Sequence, residues 1–232
     1  MSATLLIPVL NERPGLEKIL PELDPRWVDE ILFVDGGSTD GTVELLQKWG
    51  KGRVIHQTKP GLSMAYWEAF PSIRSDVILT FSPDGNSLSS AIPSLLTKMG
   101  EGYDMVIASR YLKGAGSQDD GPITSLGNWM FTRVINLLFG GRYTDTLVIL
   151  RAYRSSLIKD LAIDATEPVF EPQLSIRCAV HGRKVAEIPA KEPPRIGGER
   201  KMRIFYNGWA IVKLIWREHL RARELSKKNG HT

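Results

Sequence analysis

Short apolar runs alternate with amphipathic segments through the first half of the chain. The apolar runs have the composition of buried strands, and they lie at 4–10, 31–35, 53–57, 76–81 and 104–109. The segments between them carry apolar residues at helical spacing, and they lie at 13–22, 40–50, 62–73 and 89–100. Strands that alternate with helices at short intervals are typical of βαβ units. The pattern therefore predicts an α/β fold with a mainly parallel sheet flanked by helices.

The second half is less regular. A turn-rich stretch, 113–122, precedes predicted helices over 124–139, 155–161 and 171–181 and predicted strands over 146–152 and 185–189. The segment 192–201 is rich in Pro, Gly and Arg and has no periodicity, whereas a final helix over 203–225 has aromatic residues on one side and charges on the other. We therefore predict one domain, 1–202, with a C-terminal basic amphipathic helical extension, 203–232.

Charge is concentrated at the C-terminal end. The 232 residues suffice for one substantial domain, and their net charge is only +4, but ten Lys and Arg residues fall between Arg195 and Lys228. Such a basic end suits a phosphate-bearing ligand, nucleic acid or an anionic membrane surface. Nucleic acid fits least well, because the charges alternate with aromatic residues on one helix instead of forming a broad face.

The single cysteine and the apolar runs indicate the compartment. Cys178 excludes an intramolecular disulfide and fits a reducing environment, and we interpret it as a small buried hydrophobe, not a catalytic thiol. No secretory signal precedes the apolar segment 4–10. No stretch reaches the ~18 to 20 apolar residues that cross a bilayer. The prediction is a cytoplasmic protein with at most peripheral contact with the cytoplasmic face of a membrane.

Residues 31–42, ILFVDGGSTDGT, form an apolar strand that stops at a carboxylate and continues into a glycine-rich turn. Asp35 lies at the carboxyl end of this strand, where open α/β sheets bind ligands. Gly36 and Gly37 allow close approach of a ligand to the backbone, and the polar residues after them are good N-caps for the next helix. The simpler interpretation is an ordinary βα turn with a capping Asp.

A second carboxylate follows the strand at 77–81, in Ser82-Pro83-Asp84-Gly85-Asn86. If the two strands are neighbours in a parallel sheet, Asp35 and Asp84 lie on opposite walls of one crevice. Mg²⁺ or Mn²⁺ prefers oxygen ligands, and Asp84 with Asn86 supplies two of them beside the phosphates of a nucleoside diphosphate. The alternative is a plain β-turn, since Pro, Asp, Gly and Asn all favour turns.

Eight short motifs in order give the chain a family resemblance over residues 4 to 205. They are IPVLNE (7–12), VDGGSTDGT (34–42), KPGLSMA (59–65), SPD (82–84), ASRY (108–111), Asp145 followed by RAYR (151–154), EIP (187–189) and GERK (198–201). The chain resembles the family 2 inverting glycosyltransferases with the GT-A (Rossmann-like) fold, and most closely the dolichol- or polyprenyl-phosphate mannosyltransferase and glucosyltransferase group.

The resemblance implies a role for each matching position. It implies a nucleotide-sugar site that includes Pro8, Asn11, Glu12, Asp35 and Ser82, and a Mg²⁺ or Mn²⁺ site at Asp84 and Asn86. It also implies that arginines and a lysine bind the donor diphosphate or the acceptor phosphate, and the candidates are Arg110, Arg133, Arg151, Arg195 and Lys201. Arg133 has an equal alternative as part of the polar face of its helix. Arginine suits phosphate because its planar fork can bind two oxygens at once.

Three positions depart from the family pattern. The family usually has two acidic residues where this chain has Asp35-Gly36, and Asp-x-Asp where it has Ser82-Pro83-Asp84. Gln173 stands where Glu is common, with Glu171 two residues earlier. A single acid would leave the metal more dependent on substrate phosphates.

The candidate catalytic residues are Asp84, Arg110, Asp145 and Arg151. An alcohol acceptor needs a general base, and Asp145 is the one plausible base, with a structural role in orienting Arg151 as its alternative. A lipid monophosphate, with a second pKa of about 6, is mostly dianionic at neutral pH and needs no base. The scarcity of bases and the many cations favour a phosphate acceptor.

The final helix has two interpretations. Trp and Phe beside Arg and Lys suit a membrane interface, but an amphipathic helix also packs against its own domain or against a second subunit in a homodimer.

The leading hypothesis is transfer of a hexose from GDP- or UDP-hexose to a polyprenyl- or dolichyl-phosphate-type acceptor. The alternatives are a related transferase with a soluble hydroxyl acceptor and a non-catalytic nucleotide-sugar-binding subunit.

Overall fold

The computed structural model describes residues 1–166, 168–196 and 203–229, with the backbone alone described for 226–229. Lys201, a predicted phosphate ligand, and the GERK motif lie outside the described residues.

The first half of the chain folds as the alternating pattern predicts. Its five strands are β1 (Ala3–Val9), β2 (Glu30–Asp35), β3 (Arg53–His56), β4 (Val77–Thr80) and β5 (Met105–Ser109). The helices between them are α1 (Arg13–Glu22), α2 (Thr42–Trp49), α3 (Leu62–Ala69) and α4 (Ala91–Gly100). Short 3₁₀ turns at Pro25–Trp27 and Phe70–Ser72 complete this half.

The described part of the second half forms three longer helices and four short strands. In chain order they are β6 (Gly116–Ser117), α5 (Pro122–Phe139), β7 (Arg151–Arg154), the one-turn α6 (Leu157–Asp160), α7 (Phe170–Val180), β8 (Val185–Pro189), β9 (Lys191–Glu192) and α8 (Ile204–Asn229).

The strand predicted over 146–152 begins later, at Arg151. The amides of Leu147 and Val148 donate to the Asp145 carboxylate, each at 3.2 Å. The carbonyls of Thr146 and Val148 accept from the Arg151 guanidinium at 3.2 and 2.5 Å. Because side chains satisfy these backbone groups, residues 146–148 form a loop and take no part in the ladder, and the backbone reaches β5 only at Leu150, whose carbonyl accepts from the Ala108 amide at 3.0 Å. The apolar composition of this loop misled the prediction.

One seven-stranded sheet organises the domain, in the order β3-β2-β1-β4-β7-β5-β8. β7 is antiparallel to both of its neighbours, and the other four pairings are parallel. The predicted mainly parallel sheet is confirmed. β1 lies between β2 and β4, so the strands that lead to Asp35 and Asp84 are not neighbours. Their carboxyl ends still meet at one edge of the sheet, on either side of the end of β1.

The helix α8 packs on this domain. Ile211, Leu214 and Ile215 are buried, the rings of Phe139 on α5 and His219 on α8 are 6.4 Å apart, and Arg177 on α7 pairs with Glu218. Among the described helices none is long and apolar enough to span a membrane.

Candidate active site

The turns after β1 and β2 are hydrogen-bonded into one unit. The Asn11 amide donates to Ser38 Oγ at 2.9 Å, and Asn11 Oδ1 accepts from the Thr39 amide at 2.8 Å. The Glu12 amide donates to Thr42 Oγ1 at 3.0 Å. Asn11 has a φ of 54°, which asparagine tolerates better than most residues. The predicted nucleotide residues Asn11 and Glu12 are thus held against the glycine-rich turn.

Asp35 lies at the centre of this unit. Its buried carboxylate accepts hydrogen bonds from the amides of Gly37 at 3.1 Å and Ser38 at 3.0 Å, and His56 Nδ1 lies 3.1 Å away. Burial would raise the pKa of Asp35, but the hydrogen bonds from Ser38, His56 and Gly37 outweigh it and lower the pKa below its ordinary value. The carboxylate is therefore charged at neutral pH.

Two other residues predicted for the nucleotide-sugar site lie on or just after strands of the same sheet. Pro8 is half-buried on β1 beside Val34, and Ser82 is half-buried just beyond β4. His56 at this site was missed by sequence reasoning, which assigned it only to a strand; its alignment with Asp35 depends on the β2–β3 register.

The loop after β4 presents Asp84 and Asn86. Both residues are buried, and the Asn86 amide donates to Asp84 Oδ1 at 3.3 Å. α1 packs directly on this loop at Gly15, where a Cβ would lie 2.2 Å from the carbonyl oxygen of Pro83. Only glycine fits there without moving the Asp84 loop. Sequence reasoning missed this role of Gly15, because nothing near it in the chain indicates what it contacts.

Arg195 reaches the same loop from the other end of the chain. One of its terminal nitrogens lies 2.7 Å from Asp84 Oδ2. The next residue, Ile196, donates its amide to the Asp84 carbonyl at 3.1 Å and packs on Gly85. The structure thus brings Arg195, a predicted phosphate ligand, to the predicted metal ligand.

The donor set of this loop fits Mg²⁺ or Mn²⁺. Asp84 and Asn86 offer a carboxylate and an amide oxygen, the hard donors that these ions prefer. Arg195 already places a cationic group against Asp84, where the positive charge of a metal would lie. Within the described ranges no three His, Cys, Asp or Glu residues cluster to form a complete metal site. Asp84 and Asn86 would therefore hold the ion together with substrate phosphates.

Arg110 is enclosed by carboxylates. Its guanidinium binds Asp145 through Nε at 2.7 Å and through a terminal nitrogen at 3.1 Å, and it contacts Asp120 at 3.0 Å and Glu192 at 3.4 Å. Asn128 on α5 donates to Asp145 at 2.9 Å. This buried network, the Arg110 cluster, joins the end of β5 to α5 and to the β6–β9 ribbon.

The cluster corrects two predicted roles. Asp145 is fully buried; burial would raise its pKa, but Arg110 and Asn128 outweigh that effect and lower the pKa. An ion-paired carboxylate that no acceptor can reach is unsuited to act as a general base. A structural role for Asp145, the alternative to a general base, agrees better with these contacts, although the side-chain partner of Asp145 is Arg110 and not Arg151. Arg110 itself is committed to these carboxylates and does not face an open phosphate site.

Arg151 is also placed differently from the prediction. It is fully buried and donates to Ser175 Oγ at 3.1 Å and to three carbonyls, those of Thr146, Val148 and Glu171. The prediction that it binds phosphate is therefore wrong, and its guanidinium instead holds the loop before β7. Burial lowers the pKa of Arg151.

The two remaining candidates lie outside the crevice. Arg133 is exposed on α5, over the ring of Trp129 at 5.9 Å, among the exposed apolar side chains of that helix. Gln173 is buried, accepts from the amides of Asp164 and Ala165, and donates to Glu218. It therefore ties α7 to a loop and to α8.

Comparison with known proteins decides the family. Residues 4–161 match the model of glycosyl transferase family 2. The chain belongs to this family. The transferase is 34% identical over 209 residues to a dolichyl-phosphate hexose transferase of Haloferax volcanii, covering 88% of each chain. It is 29% identical to an undecaprenyl-phosphate mannosyltransferase of Micrococcus luteus, covering 92% of this chain and 93% of that one.

Solved structures share the fold of the transferase. Glucosyl-3-phosphoglycerate synthase from Mycobacterium tuberculosis, in complex with Mn²⁺, UDP and phosphoglyceric acid, superposes with a TM-score of 0.72. The identity is 20%, over 95% of this chain and 78% of that one. The predicted GT-A fold is confirmed.

Proposed function

We propose that this transferase moves a hexose from a nucleoside-diphosphate sugar to a polyprenyl- or dolichyl-phosphate-type acceptor, with inversion at the sugar. The placement of Asp145 carries the proposal, because the one residue predicted as a general base is buried in an ion pair. A phosphate acceptor needs no base. The names of the two relatives, a dolichyl-phosphate hexose transferase and an undecaprenyl-phosphate mannosyltransferase, support the same acceptor class.

Different site residues bind the two parts of the donor, the nucleoside and the diphosphate. Asp35 and the turn that holds it bind the nucleoside, and Asp84 with Asn86 would hold Mg²⁺ or Mn²⁺, which would supply positive charge beside the diphosphate. An oxygen of the acceptor phosphate bonds to the anomeric carbon while the bond from that carbon to the diphosphate oxygen breaks. The sugar passes through an oxocarbenium-like state, and no proton is transferred.

A transfer assay tests this function and its two alternatives. The purified protein is incubated with GDP- and UDP-hexoses, Mg²⁺ or Mn²⁺, and either a short polyprenyl phosphate or free sugars. We expect release of nucleoside diphosphate that requires the polyprenyl phosphate. The second product should be a hexose joined to the polyprenyl chain through one phosphate. Release with free sugars alone would indicate a soluble acceptor. Nucleotide binding without any transfer would indicate a non-catalytic subunit.

We also propose that the transferase contacts the cytoplasmic face of a membrane through α5 and α8. The sequence predicts this contact for α8, where Phe205 is 93% exposed and Trp216 is 67% exposed. The adjacent α5 adds a second exposed apolar row that includes Trp129 at 58% and Leu137 at 84%. We call the exposed apolar residues of these two helices the α5/α8 face.

Charge supports a lipid partner for this face. Arg133 and Lys213 lie over the rings of Trp129 and Trp209, and Arg221 and Arg223 lie further along α8. Of the two acids on α8, Glu218 is buried against Arg177 and Glu224 is exposed towards the end of the helix. Aromatic rings bordered by cations suit the headgroup region of an anionic bilayer. A second subunit is the competing partner for the same face.

Vesicle flotation tests the membrane contact. We expect the protein to float with vesicles that contain anionic lipid. Replacing Leu137 and Trp216 by serine should weaken binding more than tenfold, since each buried side chain contributes about 1.5–3 kcal/mol. Lys18→Ser with Lys48→Ser, exposed on α1 and α2, is the control and should change little. A stable dimer in light scattering that the serine variant dissociates, without flotation, would assign the face to a homodimer.

A further inference from the structure

Asp84 is already neutralised by a cation from its own chain. The Arg195 nitrogen lies 2.7 Å from Asp84 Oδ2, and the two side chains are 21% and 7% exposed. The Ile196 amide fixes the same segment to the Asp84 carbonyl. Arg195 is therefore anchored at the loop by backbone as well as side-chain contacts.

A divalent ion at Asp84 would compete with Arg195 for the same carboxylate. The loop offers one carboxylate, because Ser82 occupies the position of the expected second acid, and Arg195 balances that single negative charge. A metal that arrives alone must displace the guanidinium or share Asp84 with it, and two cations at one carboxylate repel each other. The resident pair therefore opposes metal binding in the absence of substrate.

A diphosphate can remove this opposition. Its oxygens offer the guanidinium a bidentate partner, and they also complete the coordination of the metal. Arg195 has capacity for a new partner, since its buried Nε has none among the residues that the structure describes.

We propose that Arg195 is an internal counter-cation that competes with the divalent metal for Asp84 and transfers to the diphosphate of the donor when the nucleotide binds. This inference rests on the proposed function, which places the metal at Asp84. It makes metal binding and nucleotide binding cooperative, and by linkage each ligand raises the affinity for the other by the same factor.

Mn²⁺ titration followed by electron paramagnetic resonance tests the proposal, with and without GDP or UDP. We expect Arg195→Gln to bind Mn²⁺ alone about tenfold more tightly than the wild type, the factor that one charge-assisted hydrogen bond carries. The enhancement of Mn²⁺ affinity by the diphosphate should fall by a similar factor. Arg195→Lys, which keeps the charge without the fork, should lie between the two.

Arg13→Gln is the matched control, because it removes the same charge from an arginine that begins α1 and pairs with Glu17 instead of Asp84. The inference is overturned if Arg195→Gln binds Mn²⁺ no more tightly than the wild type, or if Arg13→Gln has an equal effect. Asp84→Asn distinguishes a failure of the counter-cation role of Arg195 from a failure of the metal site at Asp84. If it abolishes Mn²⁺ binding while Arg195→Gln behaves as wild type, only the counter-cation idea fails. If the wild type binds no Mn²⁺ even with a diphosphate, the metal site itself fails.

Discussion

Asp84→Asn is expected to reduce metal-stimulated sugar transfer by roughly 100-fold or more, the usual loss when a group that stabilises transition-state charge is removed. Asparagine keeps the shape of the side chain but removes the only carboxylate in the Ser82–Asn86 loop. The measurement is the rate of nucleoside diphosphate release over a range of Mn²⁺ and Mg²⁺ concentrations, with circular dichroism to verify the fold.

The same substitution also leaves Arg195 without its carboxylate. The double variant Asp84→Asn with Arg195→Gln restores the local charge balance and should still fail to bind Mn²⁺ in the presence of a nucleoside diphosphate, which separates loss of the metal ligand from local disturbance. Glu44→Gln, an exposed acid on α2, controls for loss of a negative charge. Full metal-stimulated activity in Asp84→Asn would refute the assignment of the metal site.

Glu218→Ala is expected to lower the free energy of unfolding by about 1–3 kcal/mol, because two buried donors of Arg177 lose their acceptor. Asp164, 2.9 Å from a terminal nitrogen of the guanidinium, remains as a carboxylate partner. Glu218 is 2% exposed on α8 and accepts from Arg177 Nε at 2.9 Å and from a terminal nitrogen at 2.7 Å. Gln173 donates to it as well. The measurement is urea unfolding combined with hydrogen exchange of the α8 amides.

The pH dependence has a definite sign. Burial would raise the pKa of Glu218, but hydrogen bonds from Arg177 and Gln173 outweigh it, so the pKa lies below its ordinary value of 4.5. A lowered pKa means that the contribution to stability is present above pH 4.5 and is lost as the pH falls through the value in the folded state. Glu218→Ala should therefore flatten this part of the stability profile.

Two variants make the experiment on α8 specific. Glu224→Ala, exposed on the same helix, should change stability by less than about 0.5 kcal/mol. Replacing both partners, with Arg177→Met and Glu218→Leu, should restore part of the loss, because the buried donors that lost Glu218 are removed as well. A cost below about 1 kcal/mol for Glu218→Ala would mean that the pair does not secure α8.

Local pattern was sufficient for the architecture because the signals lie within single segments. The apolar run before Asp35 and the run before Asp84 both form strands that end at the site edge of the sheet. The same reasoning failed where apolar residues lie in a loop whose backbone is bonded to side chains. The stretch before Arg151 is apolar enough for a strand, yet the Asp145 carboxylate and the Arg151 guanidinium take its hydrogen bonds.

The type of a residue was compatible with more than one role, and its position in the fold determined which role it has. Arg110, Arg133, Arg151 and Arg195 have the same phosphate-binding chemistry. In the structure they enter a carboxylate cluster, an exposed helix face, a buried loop and the Asp84 loop, respectively. Gln173 shows the same effect, since its partners identify it as a structural link between α7 and α8.

The sequence by itself determined the α/β order, the strand ends that carry Asp35 and Asp84, and the family resemblance, because hydrophobic periodicity and turn chemistry are properties of neighbouring residues. The tertiary structure alone decided that Gly15 supports the Asp84 loop, that Asp145 pairs with Arg110, that Arg195 neutralises Asp84, and that α5 and α8 are neighbours which both expose apolar side chains. These contacts join residues far apart in the chain, and the strength of each depends on burial and direction, which become defined only when the chain is folded.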